Sequence, residues 1–134
     1  MKCIFRVMEI IYIIGGTAME NLILPIKSAD FSSFIETSKI FEKTTELMKG
    51  YLSNWYADNK IDFLECMGAE LSVVLKEYSF CNHSVHFVKN FNFDIPHQDY
   101  IYCIIDINDK EGYCCTGYKA VFDCDLNAED DMLC

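Results

Sequence analysis

The stretch from Tyr100 to Asp125, YIYCIIDINDKEGYCCTGYKAVFDCD, most narrows what this chain can become. Two apolar runs, residues 100–105 and 113–122, flank a polar linker at 106–112. Both runs are rich in β-branched and aromatic residues, so the spacing predicts a β-hairpin. The first run is apolar at both alternations, as in a central strand covered on both faces. Gly117 interrupts the second, marking a bulge or a point where another backbone comes close.

Upstream, residues 85–95 place Val85, Phe87, Phe91, Phe93 and Ile95 on odd positions and polar residues on most even ones. That period of two predicts a third strand, bulged near Lys89 and Asn90, before the turn at 96–99. Earlier the period is helical. Ser28 and Asp30 are N-cap candidates. Ile40, Phe41, Leu47, Met48, Tyr51, Leu52, Trp55 and Tyr56 recur at steps of three and four. Residues 36–38 break that register, so one kinked helix or two short ones fit. Asn59 is placed to cap a further helix carrying Ile61, Leu64, Met67, Leu71, Val74, Leu75 and Tyr78. A short connection between amphipathic helices predicts an antiparallel αα-hairpin.

Residues 2–14 read as an N-terminal strand closed by Gly15 and Gly16. Arg6 and Glu9 interrupt its apolar part, which argues against a signal peptide, and it is too short to span a bilayer. Met19 offers a second start, so residues 1–18 read as a strand or as a dispensable extension. The expected fold class is α+β within a single domain, 1–134. A C-terminal three-stranded antiparallel meander, joined by the N-terminal strand, packs against a helical hairpin, and 126–134 form an acidic tail.

Charge narrows the function classes. The net charge is −10, and residues 91–134 hold ten carboxylates against two lysines, a net of −8. Direct nucleic-acid binding needs a basic footprint that is lacking, and an anionic membrane surface is disfavoured likewise. A basic protein partner is the electrostatic complement. The candidate contacts are Asp106, Asp109, Glu111, Tyr118, Asp123 and Asp125, since tyrosine is enriched in interfaces and carboxylates pair with a partner's Lys and Arg.

Eight cysteines invite a disulfide reading. Cys66 lies in a helical pattern and Cys103 in a strand, however, and the helices already supply a core. Cytosolic thiols acting as small apolar residues are expected, with a bridge between two C-terminal cysteines left open. Cys81, His83 and His86 form C-x-H-x-x-H, which lacks both a fourth ligand and ordinary zinc spacing. DINDKEG lacks the register and closing Glu of an EF-hand loop. The phosphate-binding, dinucleotide, zincin and nucleophile-elbow motifs are all missing from the sequence. No cofactor, metal or catalytic residue is expected.

In overall build, and in the terminal hairpin carrying GYKAVFD (Gly117 to Asp123) with its acidic flanks, the chain resembles the immunity proteins of bacterial polymorphic toxin systems, including contact-dependent growth inhibition. The resemblance implies a cytoplasmic, non-enzymatic protein that binds one cognate toxin domain, often a basic nuclease. Its acidic groups would mimic or displace the phosphate backbone. A viral or host-interaction protein, and a small Cys/His metal or thiol enzyme, stay open as alternatives.

Overall fold

The computed structural model describes residues 27–91 and 99–134. The chain divides into two compact units, Met1–Thr37 and Ser38–Cys134. The expected N-terminal strand falls outside the described residues.

Helix α1, Ser28–Ser38, is what the first unit contributes to the description. Asp30 sits in its first turn, and its carboxylate accepts the Lys27 backbone N–H at 3.1 Å. That is the return half of a capping box. The helix ends where Lys39 takes a left-handed conformation (φ 54°). The register break at 36–38 is therefore a true helix boundary.

The second unit begins with α2, Ile40–Asp58. Every fourth residue, Ile40, Thr44, Met48 and Leu52, is fully buried. This single stripe is what a helix laid on a sheet must present. Thr44 is tolerated there because its hydroxyl donates to the Ile40 carbonyl at 2.8 Å, so no buried polar group is orphaned. Asn59 alone separates α2 from α3, Lys60–Met67. Its backbone N–H closes α2 on the Trp55 carbonyl at 2.8 Å, and its side chain caps α3 by accepting the Asp62 N–H at 3.2 Å. The Trp55 indole donates to Asp62 at 2.9 Å, which ties the two helices together. Phe63 is buried with the rings of Trp55 and Tyr56 edge-on at 5.0 and 5.2 Å, a favoured aromatic geometry.

The second helix of the expected hairpin is in fact two. Gly68 ends α3 in the left-handed region (φ 73°), and α4 spans Leu71–Glu77. Gly at this position closes a helix without the Cβ penalty another residue would bear. The apolar period nevertheless runs on across the break, because Met67 and Val74 both enter the core.

Among the described residues the sheet is an antiparallel meander of four strands in the order β1-β2-β3-β4. They are β1, Ser79–Val88; β2, Tyr100–Asn108; β3, Cys114–Phe122; and β4, Ala128–Leu133. The α+β class holds, with two corrections. The fourth strand of this sheet is C-terminal: residues 128–133 of the supposed acidic tail pair with β3. The strand expected at 85–95 instead runs from Ser79 to Val88, and its bulge falls between Asn82 and Ser84.

β2 alternates strictly. Ile101, Cys103, Ile105 and Ile107 are buried, while Tyr100, Tyr102, Ile104, Asp106 and Asn108 are half-buried. The buried set meets α2: the Cys103 sulfur lies 4.0 Å from the Ile40 carbonyl, and burial pushes its thiol up to about 11. From β3 the same face sends Tyr118, whose ring meets Tyr51 of α2 edge-on at 5.6 Å. Gly117 is a close approach, as its position in the run suggested. A Cβ there would sit 2.9 Å from the Cys134 sulfur, across a backbone pair bonded in both directions.

Candidate functional site

The acidic residues singled out from the sequence do not form one surface. β3 runs nine residues between two turns, so at about 3.3 Å per residue its ends lie about 26 Å apart. Asp109 and Glu111 stand in the turn at one end, and Asp123 and Asp125 in the turn at the other. Asp106 belongs to neither. It lies within β2 rather than in the linker, and its carboxylate meets Nδ1 of His83 at 2.9 Å. Tyr118 faces inward and is fully buried, so its side chain leaves the candidate surface.

The two turns are the same device built twice. In the first, the Asp109 N–H donates to the Tyr113 carbonyl and the Gly112 N–H to the Asp109 carbonyl. The Asp109 carboxylate accepts the N–H groups of Glu111 and Tyr113, both at 2.9 Å. In the second, the Asp123 N–H donates to the Asn127 carbonyl and the Leu126 N–H to the Asp123 carbonyl. The Asp123 carboxylate accepts the N–H groups of Asp125 and Asn127, again at 2.9 Å, and the Asn127 amide at 3.1 Å. These donors, the Asn127 backbone first, hold the Asp123 carboxyl below its usual range. Aspartate suits the position because its short carboxylate reaches the amides two and four residues on.

The turns differ at one place. Their fourth residue must adopt positive φ. In the first turn it is Gly112 (φ 89°), the expected choice. In the second it is Leu126 (φ 65°), where an L side chain crowds its own backbone.

Beyond that turn, β4 carries Glu129, Asp130 and Asp131. With Asp123 and Asp125, five carboxylates fall between positions 123 and 131, with no Lys or Arg among them. Three of them have internal work. Asp123 orders the turn. Asp131 accepts the buried Tyr118 hydroxyl at 2.5 Å. Asp130 accepts the N–H of Asp131 at 2.8 Å. Gly117 and Cys134 form a hydrogen-bonded pair. By antiparallel alternation the main-chain groups of Asp131 and Leu133 therefore point away from β3. Asp130 thus occupies an outward donor of the edge strand, a way of blunting it. Asp125 and Glu129 are exposed.

Next to this turn lies a groove of about 610 Å³. One wall is Lys39, just before α2, with Glu42, Lys43, Glu46 and Leu47 from the start of that helix. The other is Phe122, Leu126 and Ala128. The two non-glycine residues with positive φ among the described residues, Lys39 and Leu126, both line it. The sequence reading missed this site. Its one signal was a comparison: DKEGY and DCDLN share a leading Asp, but only the first has Gly at its fourth position.

The sheet face turned away from α2 carries other polar pairs. Tyr100 and Tyr102 stack with centroids 6.3 Å apart, and the Lys119 ammonium sits 4.8 Å from the Tyr102 ring. On β1, His83 is held by Asp106, and Nε2 of His86 lies 2.7 Å from the Ser84 hydroxyl. Among the described residues no group of three or more His, Cys, Asp or Glu side chains could hold a metal ion. The seven described cysteines are free thiols. No helix among the described residues is long and apolar enough to cross a membrane.

Comparison with known proteins finds no matching family model, no matching curated protein and no matching solved structure.

Proposed function

We propose that this chain is a non-enzymatic protein-binding module of the cytoplasm, an immunity protein that binds and neutralises a cognate toxin domain of basic character. The observation that carries the reading is the run of five carboxylates from Asp123 to Asp131, uninterrupted by any Lys or Arg and mounted on a turn and an edge strand. A surface of this kind attracts a basic partner over distance and orients it on approach. The turn is pre-ordered by its own aspartate, so little loop entropy is lost when it is covered. Asp125 and Glu129 are the contacts expected to meet Lys or Arg directly, with Asp123 setting their positions. Asp109 and Glu111, at the far end of β3, belong to a different face.

Two experiments test this. Affinity-tagged protein should co-purify with the toxin domain encoded beside its gene, and co-expression should restore growth to cells producing that domain. Absence of binding at micromolar concentration would sink the proposal.

A further inference from the structure

We infer that the groove between the first turns of α2 and the β3–β4 turn is a docking seat for a basic segment of a partner protein that inserts an apolar side chain beside Leu126. The volume, about 610 Å³, falls within the range of sites that enclose ligands or anchor side chains. Its walls present hydrocarbon from Leu47, Leu126 and Ala128, backed by the buried Phe122. The acidic run from Asp123 to Asp131 adjoins it on the strand side. The helix wall balances Lys39 and Lys43 against Glu42 and Glu46, so the net negative charge comes from the turn side, where Asp125 and Glu129 flank Leu126 and Ala128 in sequence. An apolar slot with an acidic rim on that side suits an apolar anchor flanked by Lys or Arg. A second copy is a poor occupant, because it would bring the same five carboxylates and a net charge of −10 against its like.

Leu126 adds an independent reason. The same turn is built at Gly112 without strain, so the second turn has no conformational need of leucine. A left-handed, non-glycine residue held by its surroundings is a common mark of a working surface. Here the strain places an apolar side chain on the groove wall. Lys39, the other such residue, faces the groove from the opposite wall.

The inference rests on the binding-module reading for the partner's identity, but the groove can be probed without that partner. The full chain would be titrated by NMR with a 14-residue amphipathic peptide of Lys and Leu, a Lys/Ser peptide of equal charge, and a Glu/Leu peptide. The Lys/Leu peptide should shift resonances of Leu47, Leu126 and Ala128 and bind at least tenfold tighter than the Lys/Ser peptide. The Glu/Leu peptide should not bind. Leu126→Gly and Leu126→Asn both suit left-handed backbone, so both should fold with undiminished melting temperature yet weaken the Lys/Leu peptide at least tenfold. Equal binding of the two lysine peptides, shifts confined to other residues, or indifference to both Leu126 variants would overturn the inference. Growth rescue separates it from the wider reading. Rescue undiminished by Leu126→Gly overturns the groove and leaves the immunity reading standing. A neighbouring toxin domain that never binds the wild type overturns that reading, while the peptide titration still decides the groove.

Discussion

The pair formed by Tyr118 and Asp131 is a sensitive test of why one acidic residue of β4 is structural. Tyr118 is fully buried, and its hydroxyl donates to Asp131 at 2.5 Å. Burial first, then this bond, keeps the phenol protonated far above its ordinary range. Asp131→Ala leaves a buried hydroxyl without an acceptor, which costs about 1–3 kcal/mol. Tyr118→Phe removes the donor instead. The half-exposed Asp131 can then turn to water, so the loss is nearer about 1 kcal/mol. The double variant should lose less than the sum of the two, with a coupling of about 1 kcal/mol or more. Asp131→Asn, which keeps an acceptor, should recover over half of the alanine loss. In a domain of this size each kcal/mol moves the melting temperature by roughly 3–5 °C, so calorimetry or urea unfolding resolves all four proteins. Single losses that add to within about 0.3 kcal/mol of the double variant would refute the coupling, and Asp131 would then be ordinary surface charge.

Other outcomes follow from the turns and edges. The folded Asp123 carboxyl is lowered, so its stabilising effect is complete above the unfolded carboxylate range of about 3.9 and is lost as pH falls through the folded value. Hydrogen exchange should show the Asp125 and Asn127 amides losing protection in acid, and Asp123→Asn should flatten that dependence; protection unchanged down to the acid unfolding transition would count against it. Asp130→Ala frees the outward N–H of Asp131 and should shorten the lag of thioflavin-detected aggregation, whereas an unaltered lag would mean the edge is not blunted by this carboxylate. Gly68→Ala forces a Cβ into left-handed backbone with ample room around it, so the expected loss is conformational, about 1 kcal/mol; urea midpoints unchanged from wild type would contradict it.

Much of the fold was legible where one physical signal dominated. Asn59 can only end one helix and begin the next, since its neighbours on both sides keep helical period and its side chain reaches the Asp62 N–H. Gly117 marked either a bulge or a close approach, and the structure shows the second, with the Cys134 sulfur 2.9 Å from where a Cβ would sit. The misses have a common cause, two signals superposed. Gly68 breaks a helix whose apolar spacing continues unbroken, because α3 and α4 bury into the same core. β4 reads as a charged tail because its alternation is carried by Asp131 and Leu133, and a carboxylate can stand in an inward position only when a buried hydroxyl waits for it. Asp106, Ile107 and Asn108 extend β2 past the apolar run, since the chain does not turn until Asp109 supplies its two-amide acceptor. The candidate site was legible as charge and not as place. That the two acidic turns lie at opposite ends of β3 follows from the expected hairpin itself, whereas nothing in the composition said that Leu126 would take a glycine's conformation.

The meander order has a kinetic consequence. Each strand pairs with its neighbour in sequence, so every step of sheet assembly closes a short loop, and such topologies form quickly for their size. β3 is favoured further, because both of its turns are closed by their own aspartates before any distant contact is made. The β1–β2 connection, residues 89–99, is longer than either and must be closed at greater entropic cost. Assembly is therefore expected to start at β3 and zip outward, with β1 joining late. Conservative truncations such as Val121→Ala should slow refolding, while Val85→Ala on β1 should chiefly speed unfolding. Stopped-flow chevrons with the opposite partition would place the nucleus elsewhere.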